Sequence, residues 1–145
     1  MYFWHTGILT NDLDKTIGEF CALPGVRREQ WSVMEVEFPQ EKMTVGKGGK
    51  LKGAYARIYG DVYELLQPLD SISYHAAELN SKGAGPHHLA FVCPDDQDAA
   101  LKSLIDNGGR VVWEFRNGGE RACYVKTADG SMIFELINVC PFMPE

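Results

Sequence analysis

The chain has 145 residues and a formal net charge of −6. A globular chain of this size typically buries about 68–70% of its unfolded surface, enough for a core without staples, and its acidity argues against a general nucleic-acid binder. No run approaches the ~20 apolar residues of a membrane span, and the opening MYFWHTGILT has no basic n-region. A cytoplasmic protein with no membrane or nucleic-acid partner is expected. Cys21, Cys93, Cys123 and Cys140 form no CxxC pair or other short metal-type spacing, and three lie in or beside apolar runs, where cysteine acts as a small hydrophobe.

In chain order, YFWHTGIL is aromatic and β-branched and predicts a strand. In NDLDKTIGEFCALPG, Leu13, Ile17, Phe20 and Cys21 share a helical face, with Asn11 or Asp12 as cap and Pro24-Gly25 as stop. WSVMEVEF predicts a second strand, KMTVGKGGKLKG a Gly/Lys loop, and AYARIY and VYELLQP two strands around a tight turn. SISYHAAELNSKGAG predicts a short capped helix ending at Gly83, with His75 solvated. PHHLAFVCP then opens a second half. DDQDAALKSLIDNGG places Leu101, Leu104 and Ile105 on one helical face, and RVVWEFR, RACYVKT and SMIFELI predict strands.

The order is β-α-β-β-β, a connecting helix, then β-α-β-β-β, an internal repeat. His5 in HTGI and His88 in HLAF are 83 residues apart, and the same offset relates Gly25 to Gly108. VYELL echoes IFELI, which pairs Glu64 with Glu135. The glutamates lie closer together in the chain than the histidines, so the second half is shorter. The surplus of the first half is expected in the Gly/Lys loop.

Each half thus offers a histidine early in its first strand and a glutamate midway along its last. Alternation puts Glu64 on the face of Val62 and Leu66, and Glu135 on that of Ile133 and Ile137. If those faces are buried, both carboxylates need positive partners. A single glutamate in an apolar strand usually faces water, but four such residues at repeat-related positions point to one centre. Two imidazoles and two carboxylates suit one divalent ion, with zinc, nickel, cobalt, manganese and iron(II) all admissible. Buried His–Glu ion pairs are the alternative. His87 neighbours His88, so alternation turns it to the opposite face as a structural or partly exposed residue.

These residues strongly resemble the vicinal oxygen chelate superfamily, closest to its methylmalonyl-CoA epimerase and glyoxalase I-like members. HTGILTNDLDKTIGEF is similar to the family's opening strand and helix. YELLQPLDSISYHAAELNSKGAGPHHLAFVCPDD resembles its middle segment, and GGERACYVKTADGSMIFELI its closing hairpin. The resemblance implies an α+β fold of two paired βαβββ modules, about 1–67 and 86–140, whose curved mixed sheets form a metal-containing cup in one domain. It puts the metal ligands at His5, Glu64, His88 and Glu135. Glu135 is then the first choice for the proton-transferring base and Glu64 the second. It further implies a small-molecule substrate, Arg121 as a substrate-binding residue and a possible homodimer; Arg57, on a predicted strand that could face the cup, is the second substrate-binding candidate.

Some epimerases carry a second glutamate on the strand before ELL, where this chain reads GAYARIYG, and nothing in the sequence brings Glu35, Glu37 or Glu41 into the cup. Lys47, Lys50 and Lys52 lack P-loop spacing. The expected activity is metal-dependent isomerase, epimerase or lyase chemistry on a small α-oxo compound, thiohemiacetal or acyl thioester. The rivals are an extradiol-type dioxygenase and a non-catalytic small-molecule-binding protein.

Overall fold

The structure is a computed structural model and describes residues 1–141, 143 and 144. Strand β1 (Tyr2–Leu9) leads into helix α1 (Leu13–Phe20), whose start is capped by the Asp12 carboxylate accepting from Lys15 N. Next come β2 (Ser32–Phe38), β3 (Met43–Val45), β4 (Gly49–Ile58) and β5 (Asp61–Pro68). Helix α2 (Tyr74–Lys82) starts at a Ser73 cap and stops at Gly83, whose φ of 78° few other residues tolerate. The second half repeats the first, without a counterpart of β3, as β6 (Gly85–Val92), α3 (Gln97–Asp106), β7 (Arg110–Asn117), β8 (Glu120–Lys126) and β9 (Ile133–Ile137). All nine strands form one mixed sheet in the order β2-β4-β5-β1-β6-β9-β8-β7-β3, curled into a half-barrel. The two halves meet along the antiparallel β1–β6 pair.

Alternation divides the sheet into two faces. Outside, Leu13 and Ile17 of α1 pack on Ala54, Ala56, Ile58 and Leu65. Leu101 of α3 packs on Cys93, Cys123, Val125 and Leu136. Each such buried aliphatic side chain contributes roughly 1.5–3 kcal/mol. Ile105, expected on the same face as Leu101, is 46% exposed. The inner face carries an aromatic and aliphatic cluster that includes Trp4, Tyr55, Val62, Trp113, Tyr124 and Ile137.

The predicted Gly/Lys loop is largely strand. Met43–Val45 pairs with β7 in the other half, and β4 begins at Gly49, so Leu51 lies buried between outward-facing Lys50 and Lys52. Strands β2 and β3 are consecutive in the chain yet lie at opposite edges of the sheet. Residues 39–42 therefore strap one edge of the cup to the other. The strap is fastened by Lys42 Nζ donating to Asn117 Oδ1 (2.8 Å) and Thr44 Oγ1 donating to Glu114 Oε1 (2.5 Å).

Two bulges interrupt the β1–β6 ladder. Phe3 pairs with Phe91 and His5 with Ala90, which leaves Trp4 as the extra residue. Gly7 pairs with His88 and Ile8 with Pro86, which leaves His87 as the extra residue. The bulges occur at equivalent points of the two halves, one residue before each repeat histidine. A bulge lets neighbouring side chains share a face. Trp4 is accordingly buried beside His5, and the His87 side chain is 3% exposed, with Nδ1 2.9 Å from His88 Nδ1. The expectation that His87 points away from His88 fails for this reason.

Candidate metal centre

Strands β5, β1, β6 and β9 lie side by side and carry Glu64, His5, His88 and Glu135 respectively, all turned to the inner face and all buried. The two imidazoles approach through their Nε2 atoms, 3.2 Å apart. Glu64 Oε1 is 3.3 Å from both of them. Glu135 is set slightly apart, with Oε2 3.6 Å from His88 Nε2. His5, Glu64 and His88 form the tight group whose ligand atoms all lie within 4.8 Å of one another.

Gly7 makes this approach possible. It is paired with Glu64 on one side and His88 on the other, and the His88 ring lies directly over it. A Cβ at Gly7 would sit 2.0 Å from His88 Cε1.

Each glutamate faces a tyrosine across its hairpin, Tyr55 opposite Glu64 and Tyr124 opposite Glu135. The Tyr55 hydroxyl donates to Glu64 Oε2, which leaves Oε1 to face the histidines. Tyr124 contributes to lowering the pKa of Glu135, and its hydroxyl lies 2.9 Å from His75 Nε2. His75, expected in solvent, is 2% exposed, because α2 packs its one buried side chain against Tyr124, Trp113 and Phe38. Burial and the neighbouring His88 lower its pKa to about 3, so it stays neutral. Such partners orient first ligands and tune them. The tyrosines were missed in the sequence, although each half carries one in the strand before its glutamate.

Electrostatics separates the two carboxylates. Burial alone would raise Glu64, but the imidazoles of His5 and His88, each 3.3 Å from Oε1, hold it well below the usual carboxylate range. Burial raises Glu135, and the Glu64 charge adds to the rise against the opposing pull of His88. Burial lowers His5, yet the charge and hydrogen bond of Glu64 prevail and raise it.

The residues fit a divalent ion. Bonds of roughly 2.0–2.2 Å place adjacent ligand atoms about 3.0 Å apart in an octahedron and about 3.4 Å apart in a tetrahedron. The 3.2 and 3.3 Å edges of the His5–His88–Glu64 triangle fall between these values. Glu64 Oε1 and His5 Nδ1 are buried without a hydrogen-bond partner. A cation held by Oε1 would satisfy the first of these, and burying that oxygen alone is costly.

The glutamates and tyrosines border a cavity of about 260 Å³ whose walls include Trp4, Phe38, Leu51 and Trp113. The two arginines expected there lie elsewhere. Arg121 is on the outer face of β8, where Nη2 pairs with Glu114 Oε2 (2.9 Å) and Nη1 with Asp98 Oδ1 (2.6 Å). Arg57 donates through Nη1 to Gly60 O (2.9 Å) and through Nε to Pro144 O (3.4 Å), outside the cavity lining. Glu35 and Glu37 are exposed between the inward-facing Met34, Val36 and Phe38, and Glu41 is exposed on the strap. A third lining carboxylate, Glu120, opens β8 at the hairpin end. Among the described residues no helix is long and apolar enough to cross a membrane.

A family model described as Glyoxalase/Bleomycin resistance protein/Dioxygenase superfamily matches residues 4–125. Among solved structures, a methylmalonyl-CoA epimerase in complex with methylmalonyl-CoA and NH4+ is 25% identical with a TM-score of 0.66, over 99% of this chain and 98% of that one. A variant of the Streptomyces coelicolor methylmalonyl-CoA epimerase in complex with 2-nitronate-propionyl-CoA is 28% identical with a TM-score of 0.64, over 94% and 96%. The Mycobacterium tuberculosis methylmalonyl-CoA epimerase, 24% identical over 97% and 89%, shares the fold with a TM-score of 0.63. No curated protein sequence matches the chain.

Proposed function

Because the chain belongs to the glyoxalase/bleomycin resistance protein/dioxygenase superfamily, we propose that it is a divalent-metal-dependent isomerase or lyase that moves a proton on a small α-oxo compound, thiohemiacetal or acyl thioester. The observation that carries this reading is the convergence of His5, Glu64 and His88, with an unpartnered carboxylate oxygen at the meeting point. His5, Glu64, His88 and Glu135 would hold the ion. When bound, it supplies Lewis-acid polarisation of a substrate carbonyl.

The chain's own groups do the rest. Glu64 is an anchor, since one oxygen is held by Tyr55 and the other faces both histidines. Glu135 is the base. It borders the cavity and lies off the tight triangle, which places it to take a proton from carbon and return it to a neighbouring atom. Tyr124, held by His75, flanks it from the neighbouring strand. The apolar walls keep water from competing for the proton.

The test is turnover by ion-loaded protein against methylglyoxal–thiol adducts and acyl-CoA thioesters. Activity is expected with at least one of the two classes, and loss of that activity when the ion is stripped. Equal turnover by the stripped protein, or oxygen uptake with catechols in its place, contradicts the proposal.

A further inference from the structure

The cavity beside the metal centre has an unusual charge inventory. Its lining includes three carboxylates, Glu64 and Glu135 at the inner end and Glu120 at the hairpin end of β8. Among the described residues no lysine or arginine lines it. The nearby cations are accounted for: Arg121 is ion-paired on the outer face, Arg57 is bonded to backbone carbonyls, and Lys50 and Lys52 point outward from β4. Aromatic rings supply much of the wall. Trp113 stacks on Tyr124 at 4.6 Å, Phe38 meets Trp113 edge-on at 5.0 Å, and Trp4 stacks on Tyr55 at 6.1 Å.

From this geometry we infer that the ligand is an uncharged α-hydroxy- or α-oxo-carbonyl compound with a flat, apolar body, and not a carboxylate. The inference rests on reading the four-residue cluster as a metal centre and names the substrate class for it. A divalent ion is already balanced by the two carboxylates, with both histidines neutral. A neutral two-oxygen head keeps the balance at zero. A carboxylate head leaves a net negative charge in an apolar cavity, facing Glu120 and without a cationic side chain, and burying an uncompensated charge is costly. Flat rings gain from the aromatic walls by offset or edge-to-face contact. The cavity lies below the roughly 300–1,000 Å³ usual for drug-sized ligands, so the body must be compact.

The experiment measures binding instead of turnover. Trp4 and Trp113 report on the cavity by intrinsic fluorescence. Zinc-loaded protein is titrated with 2-hydroxyacetophenone and with benzoylformate, which share a ring and differ in the charge of the head. The neutral compound is expected to bind about tenfold tighter or better. Glu120→Gln is expected to narrow that gap by improving the anion. Equal or tighter binding of benzoylformate overturns the inference, as does failure of both compounds to bind. Zinc uptake is measured on the same sample. If the stripped protein takes up no zinc, the metal-centre reading falls as well. If zinc binds and the anion is preferred, only the ligand class falls.

Discussion

Replacing Gly7 with alanine is expected to dismantle the metal centre. The added Cβ would lie 2.0 Å from Cε1, 2.3 Å from Nε2 and 2.5 Å from Nδ1 of His88. The ring has nowhere to retreat. Tyr124 lies against it with centroids 4.9 Å apart, His5 meets it at 5.3 Å, and His87 holds Nδ1. Overpacking of a well-filled core costs about 1–3 kcal/mol, and the upper end is expected here. In a chain of this length that lowers the melting temperature by on the order of 10 °C. Displacing one ligand ring is expected to weaken zinc binding by about 100-fold or more. Gly18→Ala is the control, since its Cβ meets only Arg28 Nη2 at 3.5 Å and alanine is the better residue in a helix, by roughly 0.5–1 kcal/mol. Thermal melts and zinc titrations of both variants decide. A Gly7→Ala protein that melts and binds zinc like the wild type would show that His88 does not depend on this seat.

The second large effect separates the two glutamates. Glu135→Gln keeps the shape of the side chain and removes its capacity to take a proton. Turnover is expected to fall by about 10²–10⁴-fold, the usual contribution of a general base, and to stay low at zinc concentrations that fill the site, while zinc affinity falls less than in Glu64→Gln. Glu64→Gln is expected to show the opposite pattern. The side chain is one corner of the triangle, with Oε2 held by Tyr55 and Oε1 facing both histidines, so zinc affinity falls steeply and turnover recovers in part at high zinc. Kinetics measured across a range of zinc concentrations resolve the two cases. If Glu135→Gln turns over at the wild-type rate, or if both variants lose activity only in step with lost zinc, Glu135 is not the base.

Much of this arrangement was legible in the sequence. The echo of VYELL in IFELI and the paired histidines marked His5, Glu64, His88 and Glu135, because strand alternation is local and survives into the fold. The βαβββ order was legible for the same reason, except that the first half carries one more strand, β3. The bulges at Trp4 and His87 were not, since they arise from pairing between strands far apart in the chain. The lysines of GKGGKLKG obscured the alternation around Leu51, and β3 finds its partner only in the other half. His75 looked solvated because a helix with one buried residue gives a weak periodic signal. Arg121 looked available because its partners, Asp98 and Glu114, declare themselves only when β7, β8 and α3 come together.

The central claim is that these four residues hold one ion within a single chain. Calorimetric titration of metal-stripped protein with zinc tests it most directly. One equivalent per chain is expected, with a melting temperature that rises as the site fills. No uptake of zinc or any other divalent ion, and no stabilisation by it, would contradict the claim and leave His5, Glu64, His88 and Glu135 as a buried ion-pair cluster.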